Sequence, residues 1–137
     1  MSHVARVLIV DDSRIFRGAI EEALRGQDNV ALAGSVFSGE KAIEFIRRHP
    51  PDIVTLDVEM PTMNGLETLQ LIQQWNRTQP AHARIGVIMV SAFTRRGADV
   101  TVQSLQAGAF DFVTKPSGNS PESSVLALRR DLLPMIR

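Results

Sequence analysis

Short runs of β-branched and aliphatic residues alternate with helix-length amphipathic stretches from one end of this chain to the other. That rhythm leaves few folds open, because parallel strands need a crossover of a dozen or more residues and a covering helix supplies it. The pattern predicts an α/β domain on a parallel sheet, with five strand–helix pairs. The first strand is expected over residues 4–10, and Ser13 offers an N-cap to a helix with Ile15, Ala19, Ile20, Ala23 and Leu24 on one face, ended by Gly26. The second strand is expected near residues 30–36; Ser38 then opens a helix that buries Ala42, Ile43 and Ile46 before Pro50 and Pro51 stop it. The third, residues 53–57, is apolar on both faces, as a central parallel strand is, and the turn Met60-Pro-Thr-Met-Asn-Gly65 leads into a helix reaching about Trp75. A looser segment with Pro80 and His82 precedes the fourth strand, residues 85–91. Ala98, Val102 and Leu105 recur at the spacing of an apolar helical stripe, and that helix ends at Gly108. The fifth strand is expected over residues 110–114, and the last helix repeats Val125, Leu128, Leu132 and Ile136. Residues 117–124, rich in Ser, Gly and Pro, form the loop that caps it.

Composition closes off several functions. A length of 137 residues suits one domain with a real core. Fifteen basic against 15 acidic residues give a formal charge of zero, so no overall field draws the chain to nucleic acid or anionic lipid. Without cysteine there is no disulfide, thiol nucleophile or Cys-based zinc or iron–sulfur site. No apolar run approaches the roughly 20 residues that span a bilayer. The run Val7-Leu-Ile-Val10 is followed by Asp11 and Asp12 where a signal-peptide cleavage site needs small residues, so the expected location is cytoplasmic, with no membrane contact.

Residues just after the strands of a parallel sheet meet at one edge, where open α/β sheets place their ligands. Here that edge receives Asp11 and Asp12 from strand one, Asp57 from strand three, Ser91 from strand four, and Lys115-Pro116 after strand five. Carboxylates in one pocket repel each other, and a hard divalent cation with oxygen ligands, Mg²⁺ above all, relieves them. Asp11 and Asp12 also suit a plain helix start. Asp57 does not: an ionisable group closing the run Ile53-Val-Thr-Leu56 is badly placed for packing and well placed for chemistry. Pro116 can hold a turn, through a trans or a cis bond, that aims the Lys115 ammonium inward. A nucleophile, a metal site and a cation for phosphoryl oxygens are the parts of in-line phosphoryl transfer, whose product would be an acyl phosphate on aspartate. His3, His49 and His82 have no pairing at ligand spacing, and no nucleophile elbow, P-loop or dinucleotide fingerprint is present. Trp75, Arg47-Arg48 and Arg95-Arg96 suit helix packing and solvated surface.

These residues resemble the receiver (CheY-like) domain of bacterial two-component response regulators, over essentially the whole chain, residues 1–137. The motifs are Val7-Leu-Ile-Val-Asp-Asp-Ser13, Asp57-Val-Glu-Met-Pro-Thr-Met-Asn-Gly65, Ser91-Ala92 and Gly108-Ala-Phe-Asp-Phe-Val-Thr-Lys-Pro116. The resemblance implies a flavodoxin-like (βα)5 three-layer sandwich whose five-stranded sheet has the order 2-1-3-4-5. It implies that Asp57 accepts a phosphoryl group from a histidine kinase, that Asp12, Asp57 and the backbone carbonyl of Glu59 hold Mg²⁺, with Asp11 acting through water, and that Lys115 contacts the phosphoryl group. It also implies a switch pair, Ser91 and Phe112, and an output face made by the fourth helix, fifth strand and fifth helix. Thr55-Leu-Asp-Val-Glu-Met-Pro61 and Phe110-Asp-Phe-Val-Thr-Lys-Pro-Ser117 are most similar to the regulatory domain of chemotaxis protein-glutamate methylesterase. That similarity implies a chemotaxis histidine kinase as partner and a C-terminal esterase, released by phosphorylation to hydrolyse methyl esters on chemoreceptor glutamates. The sequence stops at Arg137, so the expectation is either a fragment lacking that output domain or a free-standing receiver acting by protein binding. Phe93 and Arg95-Arg96 lie in a loop outside the motifs that carry the subfamily similarity, which bears on partner contacts more than on the phosphorylation site. A haloacid-dehalogenase phosphatase would need Asp-x-Asp, where Ser13 stands, and a flavodoxin would need a Ser/Thr/Gly loop where Asp11 and Asp12 stand.

Overall fold

Strand β1 (Ala5–Val10) is buried at five of its six positions, the sign of a strand with neighbours on both edges and helices on both faces. The computed structural model describes residues 3–92, 95–116 and 120–136, the side chains of 95 and 96 excepted. After β1 come α1 (Arg14–Leu24), β2 (Val30–Val36), α2 (Gly39–Arg48), β3 (Ile53–Asp57), α3 (Gly65–Arg77), a 3₁₀ turn (Ala81–Ala83), β4 (Gly86–Ser91), α4 (Arg95–Gln106), β5 (Asp111–Thr114) and α5 (Pro121–Ile136). All strand pairs are parallel, in the order β2-β1-β3-β4-β5, as expected.

Alternate β1 side chains feed two cores. Leu8 and Val10 join Ala42, Ile46, Leu69 and Ile72 under α2 and α3, whereas Val7 and Ile9 join Ile20, Leu24, Leu128 and Leu132 under α1 and α5. The expected caps are present: the hydroxyls of Ser13 and Ser38 accept from the N–H groups of Phe16 and Lys41. Asn64 adds a capping box with Glu67 at the start of α3. Strand β2 is only half-buried, and its register slips against Val7 and Leu8, where Gly34 leaves room for the ring of Phe45. No described helix is long and apolar enough to cross a membrane.

One face differs from the sequence expectation. The stripe Ala98, Val102 and Leu105 points outward, and Gly97, Thr101 and Ser104 are buried instead. Periodicity reveals an apolar stripe but not which side it takes; small residues let α4 lie close to the sheet, and Thr101 satisfies its own hydroxyl on the Gly97 carbonyl at 2.8 Å. Ser117 and Phe93 lie outside the described residues, as do the side chains of Arg95 and Arg96.

Candidate functional site

The carboxyl edge of the sheet is built by three strand ends and one helix cap. The Asp11 N–H donates to the Val36 carbonyl at 3.2 Å, carrying the β1–β2 ladder one residue past β1. Its Oδ1 accepts the Ser13 N–H at 2.8 Å, and Arg17 Nη1 donates to its carbonyl at 2.8 Å. Asp57 closes β3, and only glycine fits at residue 65, because a Cβ there would strike the Asp57 carbonyl; α3 therefore starts directly under the strand end. The Glu59 N–H donates to Asp57 Oδ1 at 3.3 Å. Lys115 is delivered by β5, its N–H donating to the Ser91 carbonyl at 2.7 Å. No described peptide bond is cis, so Lys115-Pro116 makes its turn with a trans bond.

These elements bring Asp11, Asp12 and Asp57 together, one carboxylate oxygen of each lying within 4.8 Å of the others. Asp11 and Asp57 are buried and Asp12 is exposed, beside a cleft of about 630 Å³ that Asp57, Glu59, Met60, Ala92 and Lys115 help to line. Lys115 Nζ stands 3.0 Å from Asp11 Oδ2 and 3.2 Å from Asp57 Oδ1, and 4.5 Å from the centroid of the Phe16 ring. The ammonium thus pairs with two of the three carboxylates. Burial first, and the Asp11 charge second, push the Asp57 carboxyl from an ordinary 3.8 up to about 7, against the pull of Lys115. Burial works to lower the Lys115 ammonium, but Asp57 and Asp11 outweigh it and hold it above its usual value.

Asp57 Oδ2 is buried with no hydrogen-bond partner among the described residues. An orphaned carboxylate oxygen beside a second buried carboxylate and an exposed third is a donor set that fits a hard divalent cation with retained waters. The other two expected residues belong to β4 and β5. Ser91 is buried, and its hydroxyl donates to the Ala92 carbonyl at 3.2 Å. Phe112 pairs in register with Met89 and turns outward, 41% exposed. Residues paired across strands, or two apart on one, share a face, so Ser91, Met89 and Phe112 all lie toward α4.

Sequence reasoning missed Phe16 and Arg17. A signal existed: helical side chains lean back toward the N-terminus, so an aromatic in the first turn after Asp11-Asp12 can reach the strand-end edge, where Lys115 Nζ meets its ring.

Comparison with known proteins adds to this geometry. Residues 7–123 match the sequence profile described as response regulator receiver domain. The protein-glutamate methylesterase/protein-glutamine glutaminase of Bacillus licheniformis is 46% identical over 114 residues, which covers 83% of this chain and 30% of that protein. Its Bacillus subtilis counterpart is 44% identical over 115 residues, with the same coverages of 83% and 30%. The chain thus spans about 30% of the length of these relatives. Among solved structures, the response regulator domain of Thermotoga maritima CheB aligns with a TM-score of 0.81 and 37% identity, over 98% of this chain and 95% of that one.

Proposed function

This chain belongs to the response regulator receiver family, and from that premise we propose that Asp57 is its phosphoacceptor, served by Lys115 and by Mg²⁺ held at Asp11, Asp12, Asp57 and the Glu59 backbone carbonyl. The observation that carries the reading is the orphaned Oδ2 of Asp57, buried at a strand end among two further carboxylates and one ammonium. Bound there, Mg²⁺ would offset the clustered negative charge and draw charge from the phosphoryl oxygens. The chain's own residues do the rest. An Asp57 carboxylate oxygen forms the new bond to phosphorus as the bond from phosphorus to the donor nitrogen of a kinase histidine breaks, and the electron pair leaves with the imidazole. Asp57 must be ionised to attack, and the Lys115 ammonium favours that form while standing ready for phosphoryl oxygens.

The same reading makes Ser91 and Phe112 a switch: the Ser91 hydroxyl, now spent on the Ala92 carbonyl, gains a new acceptor when Asp57 carries a phosphoryl group. Repacking on that face would move Phe112, and the outward stripe of α4 with Phe110 and Phe112 would pass the change to an output partner. A chemotaxis histidine kinase is the donor, and the partner is a C-terminal methylesterase domain of the kind named in the relatives. The setting is cytoplasmic.

The test is intact-mass analysis after incubation with Mg²⁺ and acetyl phosphate, wild type beside Asp57→Asn. One added phosphoryl group in the wild type alone is the expected result. An unmodified wild type, or an equally labelled Asn variant, contradicts the reading.

A further inference from the structure

Phe16 is an aromatic residue that the packing of the fold does not explain. It belongs to neither core cluster and is only half-buried, lining an open groove with Ile15, Ala19, Pro116 and Val125. A leucine would cover that groove equally well. What leucine could not do is present a π-face to a cation, and the Lys115 Nζ lies over this ring, 4.5 Å from its centroid.

We propose that Phe16 is a positioning residue for Lys115, its ring face holding the ammonium at the acceptor edge while the two carboxylates that now pair with it change state. The inference rests on the phosphoacceptor reading of Asp57. On that reading both of the lysine's ion-pair partners, Asp11 and Asp57, are altered by the events the site exists for. Asp57 gives an oxygen to phosphorus, and Asp11 faces the cation site. The Phe16 ring is the contact that neither event touches. Its placement is fixed from the same cap as the acidic cluster: the Phe16 N–H donates to Ser13 Oγ at 3.2 Å, and the Ser13 N–H donates to Asp11 Oδ1 at 2.8 Å. The lysine's backbone is fixed from the far side by its bond to the Ser91 carbonyl. Between two fixed backbones, the ring narrows the region that a flexible four-carbon chain can search.

The test replaces Phe16 with mono-, di- and pentafluorophenylalanine, which drain the ring face of electron density with little change of shape, and adds Phe16→Leu and Phe16→Tyr. Two readouts are taken. In the metal-free protein, the ε-methylene resonances of Lys115 should lie upfield in the wild type and Phe16→Tyr through ring current, and move downfield in Phe16→Leu. With Mg²⁺, beryllofluoride affinity should fall stepwise with fluorination, Phe16→Leu should bind about three- to tenfold more weakly, and Phe16→Tyr should match the wild type. The fluorinated series keeps the ring's shape and so carries the test if Phe16→Leu fails to fold. Beryllofluoride affinity that is flat across the series, or unshifted Lys115 resonances in Phe16→Leu, overturns this inference alone. A wild type that binds no beryllofluoride overturns the acceptor reading and this inference with it.

Discussion

Helices α4 and α5 flank the same strand, β5, and use their apolar residues in opposite ways. In α5 the repeat Leu128, Leu132 and Ile136 is buried against α1 and the sheet, with Val125 half-buried at its start. In α4 the repeat faces water, Val102 at 56% and Leu105 at 40% exposure, beside an exposed Phe110 and Phe112, and the buried side is Gly97, Thr101 and Ser104. The buried Ser104 hydroxyl has no hydrogen-bond partner among the described residues. One helix therefore invests its apolar surface in the fold, and the other keeps it available. A helix that buries small polar groups and exposes apolar ones is held less firmly, and elements that move are drawn from such regions. The difference separates a face that stores stability from a face whose apolar surface stays open.

The largest expected difference between the two helices is in stability. Leu128→Ala should cost about 2–5 kcal/mol, because it opens a cavity in a fully buried site, whereas Val102→Ser with Leu105→Ser should cost less than about 1 kcal/mol. Urea unfolding of both variants checks this; equal losses would mean that α4 is as firmly built in as α5.

A smaller effect tests the acidic edge, where the ends of β1 and β3 meet. Without metal, the folded Asp57 carboxyl titrates near 7 against an ordinary 3.8. Between those values the native state holds a proton that the unfolded chain has released, so stability falls as pH rises through the window, and the cost is complete above pH 7. Asp57→Asn removes the charge, and should make the metal-free protein more stable than wild type at pH 8 by about 1–3 kcal/mol, with the gap closing toward pH 4. Paired denaturation curves at the two pH values decide it. A gap of the opposite sign, or one independent of pH, would show that burial does not strain this carboxylate.

Much of this was legible in the sequence because a parallel sheet gathers its strand ends. Once Val7-Leu-Ile-Val10 and Ile53-Val-Thr-Leu56 are taken as neighbouring parallel strands, Asp11, Asp12 and Asp57 must meet, and Lys115 joins them from β5. Topology fixes those positions, and side-chain detail hardly enters. The side that α4 turns to the sheet was not legible, since its stripe of Ala98, Val102 and Leu105 has the same period whether it is buried or exposed. The outward setting of Phe112 was equally hidden, because strand alternation gives the face of a residue and not its rotamer. Phe16 was overlooked because its partner lies 99 positions away, at Lys115, and only the closed fold brings ring and ammonium to 4.5 Å. Gly65 read as a turn residue, but its decisive property is the absent Cβ against the Asp57 carbonyl.

Borohydride trapping reads the proposed bond between the phosphoryl group and the Asp57 carboxylate. An acyl phosphate on aspartate is reduced to homoserine, whereas a free carboxylate and a phosphoserine are not. After treatment with acetyl phosphate and Mg²⁺, then borohydride and proteolysis, homoserine is expected at position 57 and nowhere else. Reduction at position 11 or 12, or none in protein that has gained a phosphoryl group, would contradict it.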